Sequence, residues 1–246
     1  MATATIQLTA AAATHRGRKR PTNEDAYGYS AEHGVYVVCD GMGGAAAGEI
    51  ASSLAVDEMI RLMSLRQEQS VAQAALDAIR SANVAIHSRS QRSARLSGMG
   101  TTLVSLVTDG SSLAVLNVGD SRCYRLRADR FEQITLDHSL VEEQVRLGRM
   151  THDEALRSPL RNIITRALGT QREVTADLFD LDAQPGDLFL LCSDGLTREL
   201  QDARIESILR ATEPLEELCG RLIGEANRAG GHDNITCILA RIEAES

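Results

Sequence analysis

An aspartate recurs at the ends of the apolar stretches of this chain, and this pattern limits its possible folds more than any other. Asp40 ends VYVVCD, Asp120 ends LAVLNVGD and Asp194 follows LFLLCS. Asp233 directly precedes NITCILARI. Short runs of Val, Ile and Leu are typical of buried strands. The sequence therefore predicts buried sheet with carboxylates at the strand ends.

The predicted strands are neighbours along the chain. Runs typical of strands cover 35–39, 102–107, 112–118, 122–127, 187–192 and 235–242. Patterns typical of amphipathic helices cover about 47–65, 70–90, 202–210 and 214–228. Asp109-Gly110 and the region of Ala128-Asp129 are typical of hairpin turns. Because the strands group as hairpins and do not alternate one-to-one with helices, we predict antiparallel sheet with helices packed outside.

The length of the chain predicts a single domain over residues 1–246. Within it, the segment of about 137–169 is more polar and broken. Short helical patterns lie around Asp137–Leu147 and Thr151–Leu156. We expect this segment to be an insertion that lies over a surface.

Composition argues against several classes of protein. The net charge is −8 and aromatic residues make up 3%, which disfavours a nucleic-acid or anionic-membrane partner. No apolar run approaches the roughly 20 residues of a membrane span, and the first residues lack the order of a secretory signal. The five cysteines are an odd number without a Cys-x-x-Cys pair, which indicates buried, reduced thiols in a cytoplasmic protein. Lys19, the single lysine, does not follow a Gly-x-x-x-x-Gly phosphate loop, which disfavours a Walker-type enzyme.

The recurring aspartates favour a metal site over a set of unrelated turns. Any one Asp-Gly pair fits a turn as well as a ligand, since both residues are common turn formers. The same acid, however, stands beside several apolar strands, and Asp25 in NEDAYGY adds another carboxylate. Gathered carboxylates repel one another unless a cation relieves them. Oxygen ligands without a His or Cys set favour Mg²⁺ or Mn²⁺, and two such ions would suit phosphoryl transfer.

The basic stretch RGRKR leaves more than one interpretation open. It fits a solvated N-terminal arm or a nucleic-acid tail. Arg20, its last residue, lies five residues before Asp25. An arginine close to a metal cluster can hold a phosphate with two parallel hydrogen bonds, which a lysine cannot do.

Eight motifs, in order over about residues 14–242, resemble the metal-dependent serine/threonine protein phosphatases of type 2C (the PPM family) in their compact bacterial form. The motifs are GRKRPTNEDAY, VYVVCDGMGG, GMGTTLVSLV, LAVLNVGDSRCYRLR, ITLDHSL, NIITRALG, DLFLLCSDGLTREL and GGHDNITCILARI. The resemblance implies an α+β fold, in which a sandwich of two antiparallel β-sheets is flanked by antiparallel α-helices. It also implies that the segment of about 137–169 is a flap beside the active site.

The resemblance further implies a pair of Mn²⁺ or Mg²⁺ ions at one end of the sandwich. Asp40 would bridge both ions, and Gly41 would bind through its carbonyl group. Asp194 and Asp233 would complete the shell of one ion, and Asp25 would serve the other directly or through water.

Three further residues receive roles by the same resemblance. Asp120 would belong to a weaker third metal site, and Arg20 would bind the substrate phosphate. Asn234 would steady Asp233. Hydrolysis would proceed by direct attack of a hydroxide that bridges the two ions, without a phosphoenzyme.

Three positions depart from the pattern of the family. Met42 stands where many eukaryotic relatives carry histidine, so a histidine general acid at that position is excluded. Arg198 stands four residues after Asp194, at a place that is usually acidic, which puts the third metal in doubt. Ser158 replaces a common histidine.

The sequence thus predicts an enzyme that hydrolyses phosphoserine and phosphothreonine in proteins and opposes bacterial serine/threonine kinases. We expect a cytoplasmic monomer whose partners are phosphorylated proteins and a serine/threonine protein kinase. One alternative is a non-catalytic module of the same fold that binds phosphoproteins. Others are a phosphatase dedicated to one regulatory partner and a hydrolase of nucleotides or small phosphoesters.

Overall fold

Two antiparallel sheets form the centre of the protein in a computed structural model, which describes residues 6–43 and 47–243. The strands of these residues are β1 (Leu8–His15), β2 (Asp25–Ser30), β3 (Val35–Met42), β4 (Gly100–Thr101), β5 (Leu103–Thr108), β6 (Leu113–Val118), β7 (Arg122–Arg127), β8 (Arg130–Gln133), β9 (Asp177–Leu181), β10 (Leu188–Cys192) and β11 (Ile235–Ile242). One sheet has the order β1-β11-β10-β7-β8. The other has the order β2-β3-β5-β6-β9, and β4 pairs with β3.

Helices cover the outer face of each sheet. The helices of the described residues are α1 (Ala47–Ser64), α2 (Val71–Gln91), α3 (Leu140–Arg146), α4 (His152–Arg157), α5 (Asp194–Thr197), α6 (Asp202–Leu209) and α7 (Leu215–Ala229). The apolar sides of α1 and α2 pack on the sheet that contains β3. Those of α6 and α7 pack on the sheet that contains β10. The predicted sandwich of antiparallel sheets between helices is therefore confirmed.

Strand β3 shows why a nearly unbroken apolar run was needed. Val35, Val37 and Cys39 point to the helix layer, whereas Tyr36 and Val38 point to the other sheet. A strand that is buried on both faces must be apolar at every position, since successive side chains alternate between faces. By the same alternation, the next residue after Cys39 falls on the side that faces the opposite sheet.

Every strand and helix predicted from the sequence is present, but five strands of the described chain were not predicted. These are β1, β2, β4, β8 and β9. Strand β4 has only two residues, and each of the other four lies at the edge of its sheet. Edge strands are only partly buried, so their sequences lack the continuous apolar run that identifies β3 or β10. Strand β1, which is largely Ala and Thr, gains its structure by pairing with β11 along its whole length.

The five cysteines are buried and free, as predicted. In the described parts of the chain, no helix combines the length and the apolar character that a membrane crossing requires.

The polar segment of about 137–169 contains two short helices, close to the predicted positions. The N-cap of α3 is Ser139, and Thr151 and Glu154 form a capping box at the start of α4. Both ends of the segment are fixed to the body of the protein. The Leu168 amide donates to the Thr101 carbonyl over 2.9 Å, and the His138 amide donates to the Gly119 carbonyl over 2.9 Å.

Candidate metal centre

The five predicted acidic residues meet at one end of the sandwich. Asp25 lies opposite Asp40 in the pairing of β2 with β3. Asp120 follows β6, Asp194 begins α5 just after β10, and Asp233 lies two residues before β11. The pKa of Asp40 is raised well above its usual range by burial, and then by the charges of the other four acids. Residues that are separated by as many as 208 positions along the chain, as Asp25 and Asp233 are, thus share one electrostatic environment.

Three of these carboxyl groups are buried, those of Asp25, Asp120 and Asp194. Burial raises the pKa of Asp25 to about 7, although hydrogen bonds from Thr236 and Ser193 oppose this shift. Burial and the charge of Asp194 raise the pKa of Asp120 to about 8, against the effect of Arg198. Each shift has the same physical cause, because a buried carboxylate loses hydration and gains like-charged neighbours.

Hydrogen bonds between the two sheets hold Asp25 in place. One of its oxygens, Oδ2, accepts from Ser193 Oγ over 2.8 Å and from Thr236 Oγ1 over 2.7 Å. Its other oxygen, Oδ1, has no hydrogen-bond partner in the described structure, and neither have Oδ1 of Asp120 and Oδ1 of Asp194. Buried carboxylate oxygens without partners are costly, and a divalent cation would satisfy them. The donor set therefore fits Mn²⁺ or Mg²⁺.

Gly41 brings the backbone of β3 into close contact with its neighbours. A Cβ atom at this position would lie 2.2 Å from the Gly48 carbonyl oxygen and 2.4 Å from that of Glu24. Since no side chain fits there, only glycine permits the chain to pass so close to α1. This packing holds the turn that follows Asp40.

The Asp40 backbone is fixed by two threonines that the sequence analysis did not select. Thr102 Oγ1 accepts from the Asp40 amide over 2.9 Å, and Thr101 Oγ1 donates to the Asp40 carbonyl over 2.9 Å. Thr102 Oγ1 is also 2.6 Å from Ser121 Oγ, beside Asp120. Thr101 and Thr102 directly precede the apolar run LVSLV, and two hydroxyl residues at that position were the sequence signal for these hydrogen bonds.

Asn234 ties the loop that carries Arg20 to the start of β11. Its side-chain oxygen accepts from the Glu24 amide over 2.8 Å. Its side-chain nitrogen donates to the carbonyl groups of Arg16 and Thr22, each over 2.9 Å. Its backbone amide donates to Asp233 Oδ1 over 2.8 Å. These hydrogen bonds fix the loop that carries Arg20 relative to Asp233.

Two arginines converge on one oxygen of Asp233. Arg20 Nη2 donates to Asp233 Oδ2 over 2.8 Å, and Arg198 Nη1 donates to the same atom over 3.2 Å. Arg198 Nη2 also forms an ion pair with Asp194. Among the residues that the structure describes, no three His, Cys, Asp or Glu side chains are already arranged around one point as a metal ion would require. The Arg198 guanidinium interacts with two of the predicted ligands instead.

An open cavity of about 630 Å³ lies over this cluster. Arg20, Asp40 and Arg198 line it from the body of the protein, and Asn162 and Ile164 line it from the polar segment after α4. An acidic floor, a guanidinium group at the wall and access from solvent suit the binding and hydrolysis of a phosphate ester.

Comparisons with known proteins agree with this chemistry. The family model described as protein phosphatase 2C matches residues 12–239. A serine/threonine phosphatase, stp, from Listeria innocua is 39% identical over 236 residues, which cover 92% of each chain.

Two of the solved structures that are similar over nearly the whole chain show what the family looks like. The serine/threonine phosphatase PstP/Ppp of Mycobacterium tuberculosis has a TM-score of 0.91 and 38% identity, covering 97% of this chain and 100% of that one. A structure of the catalytic domain of PstP in complex with two manganese ions has a TM-score of 0.89 and 37% identity, covering 98% of this chain and 100% of that one.

Proposed function

This chain belongs to the protein phosphatase 2C family, and from that premise we propose that it hydrolyses phosphoserine and phosphothreonine in proteins, with Mn²⁺ or Mg²⁺ as cofactor. The observation that carries the proposal is the cluster of five aspartates, three of them buried, beneath an open cavity with Arg20 at its wall. A non-catalytic binding module would not need to bury so many like charges at its ligand site, because their desolvation costs stability.

We propose that Asp40, Asp194, Asp233 and the Gly41 carbonyl group hold the metal ions, and that Asp25 completes the site. Asp120 would serve a weaker third ion. When bound, the ions supply an activated water nucleophile and neutralise charge on the phosphoryl group.

The protein's own groups prepare the site for this chemistry. Ser193 and Thr236 orient Asp25 through its Oδ2, so that its unpartnered Oδ1 remains available. The hydrogen bonds of Thr101 and Thr102 hold the Asp40 backbone in position.

Arg20 is suited to hold the phosphate. Its side chain is half exposed, and its guanidinium lies at the wall of the cavity next to Asp233. A guanidinium group can donate two parallel hydrogen bonds to phosphate oxygens, and it can neutralise charge that develops during the reaction.

The test measures hydrolysis of p-nitrophenyl phosphate and of a phosphothreonine peptide, with Mn²⁺ and then with excess chelator. We expect both substrates to be hydrolysed with Mn²⁺ and neither after chelation. Asp194→Asn should lower kcat/KM by about 100-fold or more, because it removes a charged metal ligand. Asp129→Asn, which changes a fully exposed carboxylate, is the matched control and should leave the rate unchanged.

Two results would contradict the proposal. If neither substrate were hydrolysed with Mn²⁺, the protein would not be a phosphatase. If nucleotides were hydrolysed and the phosphopeptide were not, the protein would be a hydrolase of small phosphoesters.

We propose further that this protein acts as a cytoplasmic monomer on substrates of serine/threonine kinases. Its five buried free thiols suit a reducing compartment. Its own helices cover the outer faces of both sheets, so that neither sheet needs a second copy to complete its core. Light scattering would test the monomer, and comparison of phosphoproteins in cells with and without the gene would test the substrates.

A further inference from the structure

Arg198 reaches the acidic cluster because of where it stands on a single helical turn. Asp194 is the first residue of α5, and the Arg198 amide donates to the Asp194 carbonyl over 2.8 Å. Residues four apart on a helix lie on the same face. The side chain of Arg198 therefore returns over the Asp194 carboxylate, where it forms an ion pair.

The same guanidinium contacts a second predicted metal ligand. Arg198 Nη1 lies 3.2 Å from Asp233 Oδ2, so that one guanidinium joins residues from α5 and from the loop before β11. Burial lowers the pKa of Arg198, but Asp194, Asp120, Asp233 and Asp40 more than offset this effect. Arg198 is thus the positive charge that four of the five acids share.

We propose that Arg198 is an internal counter-ion of the acidic cluster, which metal ions must displace before they can bind. An arginine stays charged at all relevant pH values, so it cannot leave the cluster by losing a proton. Its ion pairs also occupy carboxylate oxygens of Asp194 and Asp233. A divalent cation and a guanidinium at the same oxygens would repel each other. The inference rests on the metal centre of the proposed function.

Two consequences follow from this competition. The metal-free protein is more stable with Arg198 than without it, because the guanidinium neutralises buried carboxylates. The affinity for metal is lower with Arg198 than without it, because part of the binding free energy is spent on breaking the two ion pairs.

The experiment compares the wild type with Arg198→Gln and Arg198→Lys by calorimetric titration with Mn²⁺. We expect Arg198→Gln to bind Mn²⁺ at least about tenfold more tightly than the wild type, since the ion pairs with Asp194 and Asp233 no longer have to be broken. Arg198→Lys keeps the charge but cannot span both carboxylates, so its affinity should lie between the other two. Arg204→Gln is the matched control, because Arg204 pairs with Glu225 on the protein surface. Its affinity for Mn²⁺ should equal that of the wild type.

Two further measurements separate displacement from a general effect of charge. In excess chelator, Arg198→Gln should melt at a lower temperature than the wild type, whereas with saturating Mn²⁺ the difference should shrink or reverse. In a titration with Mg²⁺, the Nε–Hε resonance of Arg198 in an NMR spectrum should move, whereas that of Arg204 should stay in place.

Unchanged or weaker Mn²⁺ binding by Arg198→Gln, or an Arg198 resonance that does not respond to Mg²⁺, would overturn the inference and leave the proposed function intact. Wild-type protein that binds no Mn²⁺ at all would overturn both. If Arg198→Gln did not fold, Arg198→Lys and the NMR titration of the wild type would still decide between these outcomes.

Discussion

At the scale of single residues, the site is built at the expense of stability. Asp25 and Asp120 are buried with raised pKa values, and each has an oxygen without a partner in the described structure. Such positions would be more stable with an uncharged residue. Buried carboxylates destabilise the metal-free protein, and the same carboxylates can bind a divalent cation. Their burial therefore explains both the loss of stability and the proposed function.

The stability of the metal-free protein should therefore depend on pH through Asp25. Its pKa rises from 3.8 unfolded to about 7 folded, so its contribution is complete below about pH 4 and is lost as the pH rises through 7. Asp25→Asn resembles the protonated form at every pH. In chelator at pH 8, this variant should exceed the wild type in free energy of unfolding by ~1 kcal/mol or more.

Urea denaturation of both proteins at pH 5.5 and pH 8 would measure this effect. Because the charge of Asp25 also raises the pKa of Asp40, the difference between the two proteins reports Asp25 together with its effect on Asp40. A difference that stayed constant between the two pH values would contradict the raised pKa.

At the scale of single elements, one end of the β5–β6 hairpin belongs to the candidate site, and the other end stabilises the fold. The β5–β6 hairpin begins beside Thr102 in the site and turns at Asp109, at the other end of the strands. Asp109 Oδ1 accepts four hydrogen bonds, from the amide and hydroxyl groups of Ser111 and Ser112, over 2.8–3.0 Å. Partial burial would raise the pKa of Asp109, but these hydrogen bonds lower it to about 2.

Asp109→Ala should destabilise the protein without affecting catalysis. We expect the free energy of unfolding to fall by about 1–2 kcal/mol, because the turn loses hydrogen bonds to a charged group. Asp129→Ala is the control in the β7–β8 turn, since its carboxylate is fully exposed and forms only a long ion pair, of 3.6 Å, with Arg210. Urea denaturation should distinguish the two variants, and kcat/KM should remain unchanged in both. Equal stability of the two variants would contradict the role of Asp109.

At the scale of the whole molecule, the site links the two sheets. Asp25 in one sheet accepts from Ser193 and Thr236 of the other, and Arg198 and Asn234 join further loops to the same cluster. A ligand that binds this cluster therefore binds only the folded arrangement of both sheets.

Metal should raise the melting temperature of the protein as a result. Binding to the native state alone contributes about 2.7 kcal/mol when the free metal is 100 times its Kd. For a chain of this length, that corresponds to a rise of about 5–10 °C. Differential scanning calorimetry with chelator and with Mn²⁺ would measure the shift, and Asp194→Asn should reduce it. An equal shift in wild type and Asp194→Asn would place the metal elsewhere.

The resemblance of eight motifs to one family, together with the residue patterns, predicted the sandwich and its central elements. Strands β3, β5, β6, β10 and β11 were identifiable because burial on both faces requires apolar runs, which are a local property of the sequence. Strand β7 is different, because arginines occupy its partly buried positions. The aspartates at their ends were identifiable for the same reason. The edge strands were not, because a half-exposed strand such as β9 tolerates many sequences.

The sequence by itself thus determined the central strands and the acidic residues at their ends. Only the tertiary structure decided how the charges of those residues are balanced. The sequence showed Arg198 as a departure from the family pattern, but its place between Asp194 and Asp233 depends on how α5 packs against the start of β11. Arg20 reaches Asp233 across 213 residues of chain. Contacts of this kind leave no periodic signal in a sequence, because their free energy depends on distances that exist only after the sheets have packed.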